Sequence, residues 1–65
     1  MIQKDTRVIW RPRGDQPGGS GVAMEDEAGG HVRVMKLTAS KGDGLTHTLN
    51  PPVEETMLAA DVIAD

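Results

Sequence analysis

Gly21-Val-Ala-Met-Glu-Asp-Glu-Ala-Gly-Gly-His-Val-Arg-Val-Met-Lys-Leu37 decides the fold class. Two runs that alternate apolar and polar residues flank Ala28-Gly29-Gly30. Glycine supplies the positive φ angles that a tight hairpin turn requires. The stretch therefore predicts a strand over Gly21–Glu27 paired antiparallel with a strand over His31–Leu37. In the first, Val22 and Met24 are expected on one face and Glu25 and Glu27 on the other. In the second, Val32 and Val34 share a face while Met35 and Leu37 share the opposite one. Either both faces are partly buried there, or a β-bulge re-aims the strand.

Upstream, Thr6–Arg11 reads as a first strand, with Val8 and Trp10 pointing one way and Arg7, Ile9 and Arg11 the other. Pro12 ends it, because proline donates no hydrogen bond to a ladder. Arg13–Gly21 is rich in glycine and reads as a loop, as does Thr38–Gly44, where Gly42-Asp43-Gly44 is turn chemistry. Leu45–Leu49 is a short fourth strand, with Leu45, His47 and Leu49 on one face.

The last segment admits two readings. Asn50 can cap a helix and Pro51 fits its first turn, so Val53–Ala64 can form a helix with Glu54 and Glu55 near its positive end. Alternatively, Met57–Asp61 forms one helical turn and Val62–Ala64 a last short strand. That second pattern, after four strands, resembles the ending of small SH3-like barrels in strand order and length. The fold expected is a β-rich single domain over residues 1–65: a small antiparallel sheet of three to four strands with a C-terminal helix or helical turn.

The 65 residues set a ceiling of one domain. A domain of this size buries only roughly 60% of the surface its unfolded chain exposes. A partner, or a second copy of the chain, would add buried area, so homo-oligomerisation is an expectation. The chain has no cysteine, hence no disulfide and no thiolate metal site, which fits a cytoplasmic setting. No apolar run approaches the roughly 18 residues of a membrane span, and residues 1–7 lack the apolar stretch of a secretory signal.

The formal net charge of −3 is unevenly spread. Lys4, Arg7, Arg11 and Arg13 crowd the first segment. Glu25, Asp26 and Glu27 cluster, and Glu54, Glu55, Asp61 and Asp65 make the C-terminal end acidic. Opposite ends can attract and help close the fold, or one sign can face a partner.

The chemistry-bearing residues are few. His31 begins a strand beside the Gly-Gly turn, and His47 reads as a half-buried packing residue. Neither is placed by the sequence beside a nucleophile. Gly19-Ser20-Gly21 lacks the spacing of a nucleophile elbow. The glycine clusters lack a phosphate-loop pattern, so no cofactor is expected. Glu25 and Glu27 share a strand face from which Asp26 points away, which reads as a solvated face and not as a metal site. The expectation is a non-catalytic protein that docks on another protein. Glu25, Glu27, Glu54 and Glu55 are its candidate acidic face, and Arg7, Arg11 and Arg13 its candidate basic one. In type it resembles the small, cysteine-free inhibitors that phages and mobile elements encode, anti-CRISPR proteins among them. The alternative is a small SH3-like, nucleic-acid-associated module using the basic N-terminal segment. Trp10 is the sole aromatic residue, so a platform for stacking several bases cannot be built.

Overall fold

In a computed structural model describing residues 1–40 and 45–65, the chain forms one open antiparallel sheet. Its strands are β1 (Arg7–Trp10), β2 (Gly18–Ala23), β3 (His31–Ser40), β4 (Thr46–Leu58) and β5 (Ile63–Ala64), with a 3-10 turn at Ala59–Asp61 before β5. The spatial order is β4-β3-β2-β1-β5, so β4 and β5 are the two edges. The chain is thus β-rich, with five strands where three or four were expected. The short helical turn and last strand take the place of the full helix over Val53–Ala64. The barrel is not closed: among the described residues β4 and β5 are not paired.

The Gly29-Gly30 turn forms as read. Both glycines have positive φ (59° and 77°), and Ala28 and His31 exchange backbone hydrogen bonds of 2.9 and 3.0 Å. The strand before it is displaced. β2 begins at Gly18, inside the expected loop, and ends at Ala23. A second tight turn explains the early start. Arg13 and Gln16 bond reciprocally around Gly14, whose φ is +58°, and this turns β1 back on β2. The expected turn at Gly42-Asp43-Gly44 lies outside the described residues.

The inward side of β2 is the opposite of the one its large side chains suggest. Ala23 is fully buried, while Val22 and Met24 are half-buried. Space decides this. Trp10 lies opposite Gly19, and a Cβ on Gly19 would come within 2.9 Å of the indole. At Gly19 the sheet interior has no room for a side chain, and at Ala23 it is filled by a single methyl group. The core is Ile2, Val8, Trp10, Ala23, Val32, Val34 and Val62, with Met57 packed against it.

The phase change in β3 is a bulge. The register with β2 shifts between Ser20 and Gly21, and the register with β4 shifts between Lys36 and Thr38. Thr38 anchors the irregularity: its Oγ1 accepts from the Ser20 backbone N–H at 3.1 Å and lies 2.6 Å from the Ser20 hydroxyl. On β4, Asn50-Pro51-Pro52 falls in the gap between the two paired stretches, Thr46–Thr48 and Val53–Leu58, and the Asn50–Pro51 peptide is cis. Proline is tolerated there because it sits at a bulge on an edge strand. Val53–Leu58 becomes strand because pairing with β3 places Glu55 beside Val34 and Met57 beside Val32. Tertiary pairing outweighs the modest helix propensity of the segment. Leu45 and His47 are both exposed, so His47 is not the half-buried packing residue expected of that face.

Candidate functional site

The open side of the sheet carries a cleft of about 460 Å³. Residues from both unpaired edges line it, Leu58 of β4 and Ile63 of β5 among them, so it is the seam that a closed barrel would not have. Trp10 forms its floor. The indole is only 7% exposed, and Lys36 Nζ lies 5.5 Å from the ring centroid. Lys36 also pairs with Glu55 across the β3–β4 ladder, so the ion pair lies beside and above the ring. The stem of the lysine packs while its ammonium reaches the carboxylate.

One wall is the β1–β2 connection, which contributes Arg11, Arg13 and Gln16. The opposing wall is β4. Glu55, Thr56, Met57 and Leu58 line the cleft consecutively. A sheet face would present only every second residue. β4 is also an edge strand, paired with β3 alone among the described residues, so backbone groups on its other side are open to pairing. At its end, Arg13 Nη1 bonds Asp61 Oδ1 at 2.8 Å and ties the first turn to the 3-10 turn 48 residues away. This contact joins the basic first segment to the acidic C-terminal end.

The acidic residues nominated by the sequence are not gathered on one face. Glu54 bonds Arg33 at 3.1 Å, and Glu55 pairs with Lys36. Glu27 accepts from the Ile2 backbone N–H at 3.2 Å, and Asp26 from that of Lys4 at 2.7 Å. The segment Met24–Glu27 is not strand, and two of its carboxylates clip the N-terminal segment so that Ile2 is held in the core. The Glu27 backbone N–H completes the clip by donating to the Ile2 carbonyl at 2.8 Å. Glu25 is exposed nearby. Of the basic residues, Arg7 lies exposed on β1, away from the cleft lining, whereas Arg11 and Arg13 line it. Among the described residues Arg11 makes no ion pair.

Sequence reasoning put Trp10 on one face of its strand with Val8 but did not find the cleft. Lys36, Met57, Leu58, Asp61 and Ile63 come together only through the sheet order. One signal was available: a lone tryptophan on one strand and the Gly18-Gly19-Ser20-Gly21 run on the next, which together imply an indole laid on bare backbone. Among the described residues no group of three or more histidine or acidic side chains is placed to hold a metal ion. No helix is long and apolar enough to cross a membrane. No known protein family, curated protein or solved structure matches the chain.

Proposed function

We propose that the chain is a non-catalytic protein-binding domain that docks on another protein through the seam cleft. One observation carries this reading. A cleft of about 460 Å³, with a tryptophan floor and charged rims, lies against an edge strand that pairs on one side only. Edge strands of this kind accept an added strand, with the backbone giving affinity and flanking pockets giving selectivity. A small chain that works by occupancy suits a regulatory or inhibitory role, of the type that phages and mobile elements encode.

Photo-cross-linking from surface positions tests the site. A cross-linker at Leu58 or Arg11 is expected to capture a partner protein from the native host, and one at Glu25 or Arg7 is not. Capture only from Glu25 or Arg7 would move the interface elsewhere and defeat the reading.

A second reading rests on Lys4, Arg7 and Arg11, whose side chains form no ion pair among the described residues. These would serve nucleic-acid backbone contacts. Affinity for an oligonucleotide that falls steeply with salt and with Arg7→Ala would favour it.

A further inference from the structure

We infer that the seam takes an extended acidic-apolar peptide segment, which adds to the β4 edge and sets a carboxylate on Arg11. The inference rests on the docking reading and names the chemistry of the partner. Its first support is charge. Five charged side chains line the cleft: Arg11, Arg13, Lys36, Glu55 and Asp61. Arg13 is paired with Asp61 and Lys36 with Glu55, which leaves Arg11 alone. The cleft therefore presents one uncompensated guanidinium, a planar fork shaped for a carboxylate.

The second support is shape. Met57 is half-buried, and Leu58 and Ile63 are about half exposed, at 50% and 47%. These three side chains offer an apolar seat beside the tryptophan floor. The third is the edge itself. β4 is paired with β3 alone among the described residues, which leaves the backbone groups of its other side for an added strand, and an extended peptide satisfies such groups along its length. Its side chains alternate, so an aliphatic residue directed into the seat leaves its neighbour directed out toward the rim, where Arg11 stands.

Trp10 is the chain's only aromatic residue, so its fluorescence reports on the cleft without a label. The probes are acetyl-Gly-Leu-Asp-Leu-Gly-amide and its counterparts with Asn or Lys in place of Asp. The Asp peptide is expected to bind about two- to fivefold more tightly than the Asn peptide, the scale of one ion pair to an exposed guanidinium. Arg11→Ala is expected to erase that difference while leaving the urea midpoint unchanged. Amide shifts should concentrate at residues 55–58.

Equal binding of the three peptides, preference for Lys, or no binding up to the solubility limit overturns the inference. So does a Trp10 emission that changes with protein concentration alone, which assigns the seam to a second copy. An oligonucleotide that shifts the cleft amides when the peptides do not also overturns it. If the Leu58 cross-linker captures a partner while the peptides show no acid preference, docking stands and the inference falls. If neither occurs, both fall.

Discussion

Replacing Gly19 with alanine tests the packing on which the cleft floor depends. The new Cβ would sit 2.9 Å from indole Cζ2 and 3.1 Å from Cε2, and closer still to the Thr38 carbonyl oxygen. Carbon atoms pack best at about 3.5–4.0 Å. The ring or the β2–β3 ladder must therefore move by roughly half an ångström or more. Overpacking of this kind costs about 1–3 kcal/mol. The smaller entropy of unfolded alanine returns about 0.5–1 kcal/mol. The net loss is about 1–2 kcal/mol, against a total of about 3–10 kcal/mol for a domain of 65 residues. At about 4–8 °C per kcal/mol, the melting temperature should fall by roughly 5–15 °C. Urea unfolding followed by Trp10 emission measures both effects, since the indole is the probe and the displaced group. An unchanged midpoint with an unchanged emission maximum would refute the placement of the ring on Gly19.

Gly29→Ala should cost about 1 kcal/mol through its positive φ alone, because no atom lies within 4 Å of the added Cβ, and Gly29→Asn should cost less; chemical denaturation of the pair separates backbone preference from crowding. Asp26→Ala should lower stability by about 1 kcal/mol and speed hydrogen exchange at the Lys4 amide, whose 2.7 Å bond it removes, with little change at the Ala23 amide. The Arg33–Glu54 pair is nearly half exposed on both sides, so a double-mutant cycle should return less than about 0.5 kcal/mol. Lys36→Ala should raise acrylamide quenching of Trp10, whereas Lys36→Met, which keeps the packed stem, should not; equal quenching in both would show that the lysine does not cover the ring.

Local signals carried the hairpin well. Gly29-Gly30 specified its turn through backbone conformation, which is a property of those residues alone. The alternation of Val8 and Trp10 gave the inward face of β1 for the same reason. The failures share a different cause. β2 was misplaced because its inward positions are Gly19, Gly21 and Ala23, residues chosen for absent volume, and hydrophobic alternation cannot see a residue that matters by being small. The C-terminal helix reading failed because Val53–Leu58 gains more by pairing with β3 than a short solvent-exposed helix gains from propensity. Nothing local in Glu55 or Met57 announces that Val34 and Val32 await them.

The candidate site was harder to read because net charge and available charge are different quantities. The chain carries an excess of three negative charges, which turned attention to an acidic face. Folding then assigns carboxylates to internal duties. Glu27 and Asp26 satisfy backbone N–H groups that would otherwise lack partners, and Glu54, Glu55 and Asp61 neutralise cations across the sheet and across the turns. An anion held against a local cation or N–H group presents a much weaker field to a visitor than its formal charge suggests. What reaches the cleft is the residue of that cancellation, the guanidinium of Arg11. A chain acidic by composition is thereby locally basic at this cleft. Two charge changes of equal size and opposite sign should then act differently: Glu54→Gln should leave binding of the Asp peptide nearly unaltered, while Arg11→Gln should weaken it about two- to fivefold. A gain from Glu54→Gln as large as the loss from Arg11→Gln would mean that the overall field, and not the unpaired cation, governs recognition.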